Sequence, residues 1–363
     1  MAARRGKNFS DTCNRSEATT DGNIFKMMDS DNSVCASKTE NHYSNGKSWE
    51  KSTEESFLVK YRDRVYNIYN FLNYHPGGKT TLTRLKDQVL DGELAKNPHS
   101  KSAYYLLEEF AVRQQERYNE CENLIDWNAP ILWQVGFMGD RYWEWVNLPV
   151  NRPIRYFQSD ILEMLSITPW YILPIVWLPI ATYFFYVGCA SNISRNIAIS
   201  AQNILPSFIL GLFIWTVVEY FVHRKIFHFE PPHNSKLLIT LHFLFHGSHH
   251  KAPLDERRLV FPPTFSLFVA LIVWHLYKVI FPSAIVHLVA AGTMTGYLCY
   301  DLIHYYLHNG APIAGSYLYT MKRRHNYHHF VHHDQGFGVT SELWDRILKT
   351  NLSLRKLNEP LKW

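Results

Sequence analysis

The chain has 363 residues, 47% hydrophobic and 15% aromatic, with a formal net charge of +5. That length suffices for two domains with their own cores, and a mean hydropathy of −0.21 averages a polar first third with a much oilier remainder. The small charge, with no basic tract interleaved with aromatics, excludes a nucleic-acid reader and suits at most an anionic lipid surface.

The five cysteines, Cys13, Cys35, Cys121, Cys189 and Cys299, are scattered. Their spacing supports neither a disulfide framework nor a thiolate metal site; they read as reduced thiols. The opening "MAARRGKNFSDTCN" has no apolar core and predicts no cleavable signal peptide.

Residues 1–55 are rich in Ser, Asn, Asp, Thr and Lys. They bury too little apolar surface to offset ordering entropy and are expected to be disordered, which leaves the sequons at Asn8 and Asn14 as unused matches. Residues 56–114 read as a small folded module. "FLVKYRDRVYNI" has strand character around a turn-like "RDR". "NFLNYHPGGKTTL" predicts a short helix, a tight turn and a second helix start. "HSKSAYYLLEEFAV" predicts an amphipathic helix. Residues 115–160 form a connector whose Trp and Tyr beside Arg suit a segment lying on a membrane surface.

Four stretches then approach the roughly 20 apolar residues a bilayer requires: 168–188, 204–222, 264–281 and 283–303. The first is clean; His275, Lys278 and His287 interrupt the last two. We expect two transmembrane hairpins with both chain ends on one side. One Arg lies near 189–203 and one Lys near 278–283. Arg152, Arg155, Arg224, Lys225, Lys251, Arg257, Arg258, Lys322, Arg323 and Arg324 lie on the other face, which the positive-inside rule makes cytosolic. The sequon at Asn192 falls in a short lumenal loop. Residues 161–352 are thus read as a membrane domain and 353–363 as a tail, in a mostly α integral membrane protein with a cytosolic histidine-rich helical cap.

Ten of the chain's 19 histidines fall in four groups. "HRKIFH" holds His223 and His228; "HGSHH" holds His246, His249 and His250. "HYYLH" holds His304 and His308; "HNYHH" holds His325, His328 and His329. On a helix, positions i, i+3 and i+4 share a face, so each HxxHH is expected to point three imidazoles into one space and HxxxH two. HxxxxH overshoots a full turn by about 140° on an ideal helix. Its two histidines therefore serve different metals, or the helix is distorted there. Ten nitrogens suit two metal ions, of a kind that favours imidazole over oxygen ligands: iron, zinc, copper or nickel. The remaining histidines, His242 among them, read as ordinary hydrogen-bonded residues, with His242 the foremost exception because it lies one turn before His246.

The region 120–350 resembles the fatty acid 2-hydroxylases of the membrane fatty-acid-hydroxylase superfamily. The resemblance rests on "SDILEMLSITPWY", "EYFVHRKIFHF", "LHFLFHGSHHKAPLDERRLVFPP", "GYLCYDLIHYYLHNG" and "HNYHHFVHHDQGFGVTSELWD". It implies that all ten histidines are metal ligands. Sterol desaturases and sterol methyl oxidases share a looser version of the pattern, but "HKAP" and "RLVFPP" favour the fatty-acid branch. In the first third, His75 in "HPGG" and His99 stand as two candidate axial ligands of a haem, and six-coordinate bis-imidazole iron moves electrons without binding oxygen. Residues 57–112 resemble a cytochrome b5 domain, with "YNI" where that family usually has an Asp after the Tyr.

Together these resemblances imply a monooxygenase of the endoplasmic reticulum membrane. It would hydroxylate the alpha carbon of long acyl chains destined for ceramide, taken as free acid, acyl-CoA or ceramide. It would use dioxygen and electrons from an NADH- or NADPH-dependent reductase relayed by haem b. Two metal ions, iron for activity with zinc able to occupy the same nitrogens, would do the chemistry. Asp301 is expected to orient a ligand histidine through its ring N–H, and Tyr305 to line the site or anchor at the interface. A sterol oxidase and a non-catalytic metal-bound lipid scaffold are the alternatives.

Overall fold

A computed structural model describes residues 56–112, 119–194, 201–357 and 360–363. The expected disorder of 1–55, and the sequons at Asn8 and Asn14, lie outside the described residues.

The first folded part begins with an antiparallel hairpin, β1 (Leu58–Tyr61) and β2 (Arg64–Asn67), with Val59 opposite Tyr66 and Tyr61 opposite Arg64. Arg62 takes φ 47 at the tip, the left-handed conformation that two-residue hairpin loops need. Strand alternation turns Val59 and Tyr66 inward, where they join Phe57, Ile68, Leu72 and Leu90 in a core. Helix α1 (Lys101–Glu108) closes this part. Its N-cap Ser100 Oγ accepts from the Ala103 N–H at 3.2 Å, satisfying a donor that the first turn leaves free.

The connector differs from the expected surface layer. Tyr142, Trp145 and Tyr156 are buried, and they pack with Ile239, Phe243 and Ala252 in one core. Composition cannot separate an aromatic belt from an aromatic core, because both combine apolar rings with polar tips. Here the rings form the floor beneath the "HGSHH" segment. Lys251 is likewise no free surface charge: it is 0% exposed and bonds Glu122 at 2.7 Å, with the Trp145 and Leu148 carbonyls as further acceptors.

Four long helices follow: α2 (Ile172–Ser194), α3 (Ala201–Val222), α4 (Pro263–Ile280) and α5 (Val286–Asn309). Among the described residues three stretches are long and apolar enough to cross a membrane, Ile172–Ala190, Asn203–Phe227 and Glu256–Ile280. The fourth expected span, on α5, is not one of them. Its packing explains why. α5 lies against α3 and α2, more than against its chain neighbour α4, and buries small residues where a lipid-facing helix would carry Leu and Ile. A Cβ on Gly292 would stand 2.1 Å from the Phe208 carbonyl, and one on Gly211 2.1 Å from that of Val289. Only glycine lets the two backbones approach so closely. By contrast α4 turns Phe268, Leu271, Ile272, Leu276 and Val279 outward. Helix α6 (Tyr317–Phe330) then carries the last histidine group.

Candidate metal centre

The ten histidines converge from four segments into two adjoining groups of five: His223, His228, His246, His250 and His328, and His249, His304, His308, His325 and His329. In each group the ring nitrogens lie within 4.8 Å of one another. HxxxH behaves as its spacing predicts, and His304 and His308 share a group.

The other spacings behave differently. Each HxxHH divides: His246 and His250 serve one group and His249 the other, as His325 and His329 serve one group and His328 the other. Positions i+3 and i+4 are about 100° apart on a helix, so an HxxHH helix seated between two sites straddles them. HxxxxH, in turn, serves a single site. Residues His223–Phe227 form a π-helical turn closed by the His228 N–H donating to the His223 carbonyl at 3.0 Å. A turn closed i to i+5 stacks His223 over His228, and their Nε2 atoms stand 3.2 Å apart. A second π turn, Phe243–Gly247, carries His246 and leads into the helical turn that holds His249 and His250. Of the two explanations for HxxxxH, the distorted helix is the one found.

The Nε2 atoms face one another at short range. His223 and His246 are 3.2 Å apart, His246 and His250 3.1 Å. In the second group His249 and His304 are 3.0 Å apart, His308 and His325 2.8 Å, and His325 and His329 3.1 Å. Nitrogens bound to one ion at about 2.0–2.1 Å sit about 2.9–3.4 Å from each other in octahedral or tetrahedral arrangements. Several rings are anchored by their other nitrogen. His223 Nδ1–H donates to the Phe337 carbonyl at 2.6 Å and His328 Nδ1–H to that of Gln335 at 2.7 Å. His328 Nε2 is buried without a partner. Burial, reinforced by neighbouring rings, holds the His246, His249, His250, His325 and His329 imidazoles well below the ordinary range, so each keeps a lone pair free. This donor set fits two imidazole-bound ions.

His242 stays outside both groups. Its Nδ1 is 2.6 Å from the Tyr142 hydroxyl, and it also bonds the Phe227 carbonyl within the π turn. Asp301 corrects the expectation made for it. Its carboxylate accepts from the Phe261 N–H and the Tyr297 hydroxyl, both at 3.1 Å, rather than from a histidine ring, because its side chain faces the end of the "RLVF" segment. Tyr305 packs on Trp170, ring centroids 6.1 Å apart.

The acids that do support the candidate ligands are Glu219 and Asp345. Glu219 accepts from the Val339 and Thr340 N–H groups at 2.9 and 2.7 Å. Asp345 accepts from the Phe337 and Gly338 N–H groups at 3.0 and 2.8 Å. Between them they hold the loop whose carbonyls orient His223 and His328. Glu219 had a legible signal: it is a carboxylate inside an apolar span, where such residues are rare and functional.

A cavity of about 720 Å³ lies among the long helices. Trp177, Ile214, Trp215, Val273 and Tyr297 line it with other apolar residues, and His246, His249 and His304 belong to its wall. Its lining follows α5 from Ala290 to His304, about 21 Å at 1.5 Å per residue. In the first folded part, the His75 and His99 ring centroids lie 6.2 Å apart with planes at 27°. His75 Nδ1 bonds the Gly78 carbonyl at 3.1 Å and His99 Nδ1 that of Asn97 at 2.7 Å, which leaves each Nε2 free. Two metal–nitrogen bonds of about 2 Å each, added to the ring radii, span about this separation, so the pair fits a haem iron.

A family model described as fatty acid hydroxylase matches residues 208–350, and one described as cytochrome b5-like heme/steroid binding domain matches residues 45–116. The fatty acid 2-hydroxylase of Macaca fascicularis is 38% identical over 330 residues, covering 79% of this chain and 89% of that protein. The chain belongs to the fatty acid 2-hydroxylase family. A dihydroceramide fatty acyl 2-hydroxylase of Arabidopsis thaliana is 40% identical over 228 residues, covering 62% of this chain and 92% of that one. The solved structure of full-length scs7p, in which only the hydroxylase domain is visible, matches with a TM-score of 0.59 at 30% identity, over 69% of this chain and 93% of that one. Membership in the fatty acid 2-hydroxylase family makes this chain an oxidoreductase with a cytochrome b5-type domain that implies haem, and the apolar helices give it membrane character.

Proposed function

We propose that this protein hydroxylates the 2-position of long acyl chains for 2-hydroxy sphingolipid synthesis. The observation that carries the reading is the apolar cavity with His246, His249 and His304 in its wall. An acyl tail fits a cavity of this size and polarity, and its head would then lie beside the imidazole groups. The balance is one dioxygen, two electrons and two protons for each C–H bond converted to C–OH, with one water released. The two electrons would come from an NADH- or NADPH-dependent reductase by way of the haem that His75 and His99 would hold.

In this reading the ten histidines hold two ions, and His75 and His99 hold haem b. Bound iron supplies oxygen activation; zinc, which takes the same nitrogens, would hold the fold without that chemistry. The chain's own residues position and exclude. Tyr297 and Asp301 fix the loop at Phe261, and Trp177 and Trp215 keep the tail dry. We further take 56–114 as the haem domain, 115–160 as a connector and 161–352 as the hydroxylase domain. Four helices would span the endoplasmic reticulum membrane in two hairpins, with both chain ends and the metal centre cytosolic. The test is lipid analysis of cells lacking the protein: loss of 2-hydroxy acyl chains supports the reading, and accumulation of sterol intermediates with 2-hydroxy chains intact refutes it.

A further inference from the structure

Two centres that exchange electrons must come close together, and domains of one chain move relative to each other by default unless their interface prevents it. The structure joins the His75 loop to the metal-bearing helix through residues 361–363. The Trp363 indole N–H donates to the Pro76 carbonyl at 3.1 Å, one residue from His75. Gly78 sits directly under the same segment: with φ +84, its added Cβ would stand 2.4 Å from the Lys362 carbonyl oxygen. Only glycine accepts both that dihedral and that proximity. On the other side, the Leu361 N–H donates to the Tyr319 hydroxyl at 2.7 Å, and the Tyr319 and Trp363 rings pack at 5.0 Å. Lys322 places its ammonium 5.2 Å from the Trp363 ring centroid, a cation–π distance, and donates to the His308 carbonyl at 2.9 Å.

The contacts therefore run unbroken from a candidate haem ligand to a candidate metal ligand. His75 and Pro76 are covalently joined, Trp363 bonds Pro76, Lys322 sits on Trp363, and Lys322 bonds His308. Tyr319 and Lys322 both lie on α6, which also carries His325, His328 and His329. Other contacts between the two parts, such as the Tyr74 hydroxyl donating to Glu256 at 2.8 Å, hold different edges.

We propose that residues Leu361–Trp363 form a clamp that seats the haem module on α6, with Trp363 positioning the His75 side of the haem for electron delivery to the metal centre. This rests on the proposed haem and dimetal reading, and it names the interface through which that reading would operate. Trp363 is a positioning residue; no bond to it forms or breaks.

The test uses the full chain, loaded with haem and iron, as wild type, Trp363→Ala, Trp363→Phe and Tyr319→Phe. The haem absorbance spectrum and the extent of haem reduction by NADH with a reductase are measured first. The rate of haem reoxidation on adding dioxygen and acyl substrate comes second, and product formed with a small-molecule one-electron donor that reduces the metal centre directly, bypassing reductase and haem, third. We expect Trp363→Ala to keep its haem spectrum, reduction and donor-driven product. Its haem reoxidation should slow at least tenfold, with reductase-driven product falling in parallel. Trp363→Phe, which keeps the ring but loses the N–H donor, and Tyr319→Phe, which loses one anchor, should fall between. Wild-type reoxidation rates in Trp363→Ala overturn the clamp. Loss of both electron routes in Trp363→Ala, with Tyr319→Phe at wild-type rates, also overturns it, since the residue would then be structural. If wild-type haem does not reoxidise in step with product, the underlying haem reading fails instead.

Discussion

Glu219 illustrates what one buried residue can decide. Its carboxylate receives the Val339 and Thr340 N–H groups, and that loop aims the Phe337 carbonyl at His223. Glu219→Ala leaves these donors buried without partners, at a cost of about 1–3 kcal/mol each. We expect the variant to lose bound metal while keeping its haem spectrum, and metal analysis of the purified protein checks this; full metal content would show that the loop stands without the acid. His304→Ala removes a nitrogen shared between one imidazole group and the cavity wall. It should abolish 2-hydroxy product with the haem spectrum unchanged, and retained product would refute the assignment. At this scale the sequence was most informative about histidine, because ten at helical spacings have no ordinary structural explanation. It was least informative about the acids. Asp301 stood out by closeness to His304 in the chain, whereas Glu219 acts through a loop 121 positions away, and Asp345, close to that loop in the chain, supports a carbonyl that meets His223 114 positions away.

Elements carry the next level of control. The π turn at His223–Phe227 brings two candidate ligands five residues apart onto one face. Inserting one alanine beside Ile226, which is exposed, lengthens the spacing beyond what the π turn accommodates and should carry His228 about 100° off the His223 face. The expected result is loss of metal from the His228 group, read as a fall from two ions per chain toward one; two retained ions would mean that the turn is not what sets the geometry. The turn was legible only as a conflict between HxxxxH spacing and an ideal helix. The paired HxxHH motifs were legible as histidines sharing a face but not as motifs divided between two groups, since spacing defines a face and not what lies on either side of it. Hydropathy likewise described α2, α3 and α4 by their lipid-facing residues, while α5, packed on α3 through Gly211 and Gly292, has a composition closer to a soluble core. Gly211→Val should disrupt that contact and lower the thermal midpoint in detergent by several degrees, since each kcal/mol is worth about 2–4 °C in a domain of roughly 200 residues. An unchanged midpoint would argue against close packing there.

For the whole molecule, the two imidazole groups unite segments that begin at His223 and end at His329. A ligand that binds only the folded state stabilises it in proportion to its free concentration over its dissociation constant. Stripping metal with a chelator should therefore lower the unfolding temperature of the hydroxylase part and leave the haem absorbance in place. Simultaneous loss of both would contradict independent centres. The two-part organisation was readable from the contrast between "HPGG" and the histidine groups, but the way the parts meet was not, because Trp363 and Pro76 lie 287 positions apart. The most direct measurement of the central claim is a reconstituted turnover with iron-loaded protein, a reductase, a defined long acyl substrate and ¹⁸O-labelled dioxygen. We predict a 2-hydroxy acyl product carrying one labelled oxygen atom; absence of that product, with both iron and reducible haem in place, would contradict the account.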